Sequence, residues 1–169
     1  MKRLLIITVF FFSAILILPA SELSENAING LQYMFEEEKL ARDIYTTFGD
    51  IWDLRVFQNI SRAEERHMSM VEDLSADYGL VFTEEASGDF SIPELQDLYN
   101  SLFESGSVSL EDALEVGRLV EITDIDDLDR FLSVNPPDDY RFIFENLRQG
   151  SVHHLEAFNR QLGYRESAE

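Results

Sequence analysis

The chain has 169 residues, with 33 Asp and Glu against 13 Lys and Arg and a formal charge of −20 at pH 7. A field of that sign repels a phosphate backbone and excludes nucleic acid as a partner. With no cysteine, disulfides, thiolate metal ligands and lipid attachment through an N-terminal Cys are excluded too, so any metal must be held by oxygen and nitrogen.

Met1, Lys2 and Arg3 precede an apolar run over residues 4–18 that ends at Pro19, Ala20 and Ser21. This is the charged start and short apolar stretch of a secretory signal peptide, and the run is too short to span a bilayer comfortably. The expectation is a signal peptide over residues 1–20, cleaved after Ala20, and one helical domain over residues 21–169 that is exported to the periplasm, the cell surface or the medium. The alternative is an uncleaved N-terminal anchor, through which alone the protein would touch a membrane.

Over residues 27–48, Leu31, Met34, Glu38, Ala41, Tyr45 and Phe48 recur at alternating steps of three and four, which places them on one face of a helix. Over residues 54–78, Phe57, Ile60, Glu64, His67, Val71, Leu74 and Tyr78 keep the same alternation until Gly79, a natural helix end. Residues 81–106 are looser, but Pro93 opens a short helix to Glu104 that caps the bundle or crosses over it. Ser109, followed by Glu111 and Asp112, reads as the next helix start, and Leu110, Leu114, Gly117 and Glu121 carry it forward. Asp124, with Asp126 and Asp127 behind it, reads as the N-cap of a separate short helix to Leu132. After the break at Pro136 and Pro137, the face Tyr140, Phe144, Leu147, Ser151, His154 and Phe158 marks the last helix. The fold expected is all-α: a four-helix bundle with a long middle connection and additional short helices in the connections.

The chemistry lies in what interrupts these apolar stripes. Glu38, Glu64, His67, Glu121 and His154 sit near the middles of four helix faces, where an uncompensated charge is costly and a metal cation compensates it directly. Residues three apart on a helix project from one face, so Glu64 and His67 can share an ion. A Glu-x-x-His pair with a carboxylate from each of two further helices is the ligand pattern of a di-iron or di-manganese carboxylate centre.

Each residue has a bland competitor. An acidic run is usually the exterior of a helix; of Glu36, Glu37 and Glu38 only Glu38 falls on the stripe, with Glu37 as second choice. Glu121 could instead pair with an Arg from another helix. The stripe selects His154 and turns His153 outward. Tyr45, on the Glu38 face, is a candidate catalytic residue as a redox-active or ligand-orienting tyrosine, or else a core aromatic.

The segments Glu36-Glu37-Glu38-Lys39-Leu40-Ala41-Arg42-Asp43-Ile44-Tyr45, Ser61-Arg62-Ala63-Glu64-Glu65-Arg66-His67-Met68, Val116-Gly117-Arg118-Leu119-Val120-Glu121 and Gly150-Ser151-Val152-His153-His154-Leu155-Glu156-Ala157-Phe158 together resemble the ferritin-like family known as domain of unknown function 2202. The resemblance implies a ferritin-like bundle with a metal centre. In the wider ferritin pattern it places Glu38 as the first-helix carboxylate, Glu64 and His67 as the second-helix Glu-x-x-His, Glu121 as the third-helix carboxylate and His154 as the fourth-helix histidine. Ser151 departs from the pattern, standing where the fourth helix normally supplies a Glu, and Asp124 is the candidate replacement. The functional expectation is an Fe or Mn centre, with two ions if complete, that reduces peroxide or O₂. The alternatives are a metal-binding protein without turnover and a structural or interaction bundle with a degenerate site.

Overall fold

The computed structural model describes residues 23–164; the signal segment expected over residues 1–20 lies outside them. Among the described residues there are five helices and no strand: α1 (Glu25–Trp52), α2 (Arg55–Asp77), α3 (Pro93–Gly106), α4 (Leu110–Leu132) and α5 (Asp138–Leu162). None is long and apolar enough to cross a membrane.

Local chemistry sets most of the boundaries. Ser24 caps α1 by accepting the Ala27 N–H at 3.2 Å, and Ser109 caps α4 by accepting the Asp112 N–H at 3.1 Å; each satisfies a donor the helix itself leaves unpaired. Beyond α2, Gly79 takes φ +74°, where a side chain is disfavoured. Pro93 opens α3, and Pro136 and Pro137 keep α5 separate from α4.

One boundary differs from the sequence expectation. Asp124 does not cap a separate helix, because α4 runs unbroken through it to Leu132. No Gly or Pro interrupts residues 118–132, and Val120, Asp124 and Leu128 continue one buried face at four-residue steps. Asp127 lies on the outer side of that face, paired with Arg130 at 2.6 Å. The connections therefore hold one short helix, α3.

Helices α1, α2, α5 and α4 pack in a ring, each against two neighbours, while α3 lies on α1 and α4. Tyr33 meets Phe131 and Tyr45 meets Gly117, Glu38 meets His67 and Phe48 meets Phe57, His67 meets Gly150 and Phe57 meets Phe158, and Asp124 meets Ser151 while Gly117 meets Phe158, so neighbours in the ring are antiparallel. Helices α2 and α4 consequently run the same way across a diagonal, and the α2–α4 connection must return along the bundle.

The buried core falls into two apolar clusters. One gathers Ile44, Phe48, Phe57, Leu114 and Phe158; the other gathers Leu31, Met34, Val71, Leu128, Phe144 and Leu147. Between them, at one level in all four ring helices, the buried residues are polar: Glu38, Glu64, Glu121, Asp124 and Ser151.

Helix α1 is also buried on the face that its acidic run predicts as exterior. Lys39, 1% exposed, donates to Asp43 Oδ2 at 2.6 Å and to the carbonyls of Ala86 and Asp89 at 2.9 and 3.1 Å, and lies 4.3 Å from the Phe90 ring centroid. Glu36 accepts from the Ser91 hydroxyl and from the Ile92 N–H. These bonds clamp the returning connection onto α1 and satisfy groups that burial would otherwise destabilise.

Candidate metal centre

The polar level contains two groups of carboxylate and imidazole atoms that can hold a metal ion, Glu38–Glu64–His67 and Glu64–Glu121–His154. Glu64 belongs to both. Its Oε2 lies 2.7 Å from Nδ1 of His67 and its Oε1 2.8 Å from Nδ1 of His154. Nδ1 of His67 is 3.2 Å from Glu38 Oε2, and Nδ1 of His154 is 3.6 Å from Glu121 Oε2. The two imidazoles stack with centroids 5.5 Å apart, so both present Nδ1 to the shared carboxylate.

Four of the ligand-type atoms at this level are buried without a hydrogen-bond partner: Glu38 Oε1, Glu64 Oε1, His154 Nδ1 and Asp124 Oδ1. The pair Glu64 Oε1 and His154 Nδ1 is informative, because the atoms are close yet not directed at one another as a hydrogen bond requires. Buried polar atoms normally have partners. Oxygen and imidazole nitrogen converging on unshared space are the donor set that Fe, Mn and Zn accept.

Electrostatics divides the three carboxylates of the triads. Burial raises Glu38 to about 7 and Glu121, with the charge of Glu64 adding to it, to about 8. Burial acts the same way on Glu64, but the imidazoles of His154 and His67 on either side outweigh it and hold that carboxyl at about 2. Burial would lower both histidines; Glu38 and Glu64 instead carry His67 to about 11, and Glu121 and Glu64 carry His154 to about 10. Proton affinity in the cluster is thus drawn away from the shared carboxylate and toward the two imidazoles.

Neighbouring residues hold this arrangement. A Cβ at Gly150 would lie 2.5 Å from Cε1 and 2.6 Å from Nε2 of His67, so the absence of a side chain there lets the imidazole seat against α5. Gly117 similarly admits the Phe158 ring and offers its carbonyl to the Tyr45 hydroxyl at 3.2 Å. Tyr45 also donates to Glu121 Oε1 at 2.7 Å; burial, then the nearby Glu121 charge, keeps its phenol protonated well above the ordinary range.

The structure thus brings Glu38, Glu64, His67, Glu121 and His154 together, with Tyr45 on Glu121. Asp124 is buried beside them but outside the two triads; its Oδ2 accepts from the Ser151 hydroxyl. His153 is exposed. Glu37 was only a second choice from the sequence, yet it is 3% exposed, keeps Oε2 buried without a partner, and is held well above the ordinary carboxylate range by burial and then by Asp124. Its signal was weak, since one acid in a run of three gives no periodicity of its own.

Fold and site together define an all-helical bundle whose core is interrupted at one level by two carboxylate–imidazole triads sharing a glutamate. Residues 27–168 match the family described as uncharacterized protein domain DUF2202, and the chain belongs to that family. It is 41% identical over 147 residues to the uncharacterized protein MJ0754 of Methanocaldococcus jannaschii, covering 86% of this chain and 80% of the relative. It is also similar to the crystal structure of hypothetical protein MJ0754 from Methanococcus jannaschii DSM 2661, with a TM-score of 0.83 and 40% identity over 86% of this chain and 85% of the other.

Proposed function

We propose that this protein is a ferritin-like bundle that binds two Fe or Mn ions through Glu38, Glu64, His67, Glu121 and His154, and that the loaded centre reduces peroxide or O₂. The observation that carries the reading is Glu64, a buried carboxylate with one oxygen at each imidazole, which would let it serve both triads. The single long connection between parallel α2 and α4 supports the ferritin-like topology, in which one crossover joins two antiparallel pairs.

The residues fit such ions. Unpartnered Glu38 Oε1, Glu64 Oε1 and His154 Nδ1 lack the compensation a cation supplies. Asp124 answers the departure at Ser151: the fourth helix lacks its carboxylate, but the Ser151 hydroxyl fixes Asp124 Oδ2 and leaves Oδ1 unpartnered to serve as the sixth ligand.

When bound, two Fe²⁺ or Mn²⁺ ions would give up one electron each, enough with two protons to take peroxide to two waters or O₂ to peroxide, and an external one-electron reductant would return them to the divalent state between turnovers. The protein's part is positional. Glu38 and Glu121, and the imidazoles of His67 and His154, would give up protons to hold the ions, and Glu64 would belong to both positions. Tyr45 orients Glu121 and holds a proton 2.7 Å from its Oε1. Met34, Phe57 and Val71, all fully buried, exclude bulk water from above and below the polar level.

The test is to load the purified protein with Fe²⁺ or Mn²⁺, count the metal, and follow O₂ and peroxide consumption. Consumption by the loaded protein, with Tyr45→Phe keeping its metal but slowing turnover, is the expected result. Full metal content without consumption would reduce the function to metal binding.

A further inference from the structure

A cavity of about 190 Å³ opens between α1, α3 and α4, walled by Leu40, Leu98, Leu102, Leu119 and Val120. Leu119 is 50% exposed, whereas Leu40, Leu102 and Val120 are buried, so the cavity runs from a mouth at Leu119 inward to an apolar end. Val120 precedes Glu121 and Leu40 lies two residues beyond Glu38. The inner wall therefore belongs to the same turns of α1 and α4 as two ligand candidates of the metal centre.

Two polar side chains border the cavity and contribute little of its surface. Glu37 keeps its unpartnered Oε2 closed to solvent, and the Thr123 hydroxyl donates its proton to the Leu119 carbonyl at 3.0 Å. A water held inside a protein needs several polar partners, and a lining without them stays dry; an apolar cavity of roughly 150 Å³ takes up xenon or benzene instead. Hydrogen peroxide, like water, loses hydrogen bonds on entering such a lining. Dioxygen has none to lose.

We propose that this cavity is a binding site for dioxygen, a small apolar molecule that enters past Leu119 and lies among Leu40, Leu102 and Val120. Uptake follows from the lining alone, whereas the use of that O₂ rests on the reduction proposed above. A hydrocarbon of benzene size meets the same lining. What favours dioxygen is the place of the cavity, against the turns that carry Glu38 and Glu121, in a chain whose centre would consume it.

The test uses chelator-treated protein carrying ¹³C-labelled Leu and Val methyls, with xenon as an apolar probe and O₂ itself as a paramagnetic relaxation agent. Xenon should shift the Leu98, Leu102 and Val120 methyls saturably. Dissolved O₂ should relax the Leu102 and Val120 methyls faster than those of Leu31 and Leu147, which are at least as buried but lie in the other apolar cluster. Leu102→Trp, which fills the cavity, should abolish both effects. Leu119→Trp should do the same from the half-exposed mouth, where a substitution disturbs the fold least. Absence of xenon shifts in the parent, O₂ relaxation no greater at the cavity than at Leu31 and Leu147, or effects that survive in both variants would overturn the proposal. So would toluene shifting the cavity methyls where xenon and O₂ do not, the mark of a hydrocarbon site. Because the protein is metal-free, these outcomes decide the uptake of O₂ whether or not the loaded centre reduces it.

Discussion

The carboxylate of Glu64 lies between two imidazoles, 2.7 Å from Nδ1 of His67 through Oε2 and 2.8 Å from Nδ1 of His154 through Oε1. Each histidine serves one triad, while Glu64 serves both. Removing one histidine should therefore spare the other position: His67→Ala and His154→Ala should each retain about one ion per chain, the half-occupied form of a two-ion carboxylate site. Elemental analysis decides, and full metal content in both variants would show that the triads are not the ligands.

Gly150 makes room for His67, since a Cβ there would fall 2.5 Å from Cε1 of the ring. Gly150→Ala should displace the imidazole, cost about 1–3 kcal/mol of stability as other overpacked positions do, and weaken metal binding on the Glu38 side. Urea unfolding and metal titration are the checks; an unchanged variant would mean that the two helices separate freely at this level.

The Ser151 hydroxyl is a donor to the buried Asp124 carboxylate. Ser151→Ala leaves Asp124 with neither oxygen paired, an arrangement worth about 1–3 kcal/mol of destabilisation. In the metal-free protein the loss should appear in full, and metal should restore part of it if Asp124 is a ligand. Equal losses with and without metal would remove Asp124 from the coordination set.

Lys39 is a buried cation whose partners are Asp43 and two carbonyls of the returning connection. Breaking a buried pair by deleting one partner costs about 3–5 kcal/mol, so Lys39→Met should destabilise the fold by roughly the lower figure, because Arg42 and the Gly88 N–H still reach Asp43. Amide exchange should rise first over residues 86–92. A loss under about 1 kcal/mol would show that the clamp is redundant.

A metal held by these residues would compete with protons for the same atoms. His67 and His154 have pKa values raised to about 11 and about 10, and Glu38 and Glu121 to about 7 and about 8. All four bind protons more tightly folded than unfolded, so their contribution to metal-free stability is largest at low pH and is lost as pH rises through those values. Glu64, lowered to about 2, acts oppositely and only below its unfolded value near 4.5. The melting temperature of metal-free protein should fall from pH 5 to pH 10, metal affinity should rise over the same window, and calorimetry in buffers of different ionisation enthalpy should show protons released on binding. Binding without proton release would contradict the assignment.

Much of this was legible in the sequence because the ligand-type residues share stripes with the core. Glu38 repeats with Met34 and Ala41, and Glu64 and His67 repeat with Ile60 and Val71, so the helical period that gives α1 and α2 also gives the site. The misreading at Asp124 has the same origin. Four acids between residues 124 and 129 imitate the first turn of a helix, and only packing against Ser151 of α5 shows that Asp124 continues a buried face. Glu36, Lys39 and Asp43 escaped, and Glu37 entered only as a second choice, for a different reason: what covers that side of α1 is α3 and the connection before it, whose position over α1 is set by tertiary contacts that no local period encodes.

If Glu64 links two metal positions, removing its carboxylate should empty both. Elemental analysis of the purified protein expressed with iron and manganese available, beside Glu64→Ala, tests it most directly. About two ions per chain are expected in the parent and almost none in the variant, with both proteins equally helical by circular dichroism. Equal metal content in parent and variant, whether negligible or full, would contradict it.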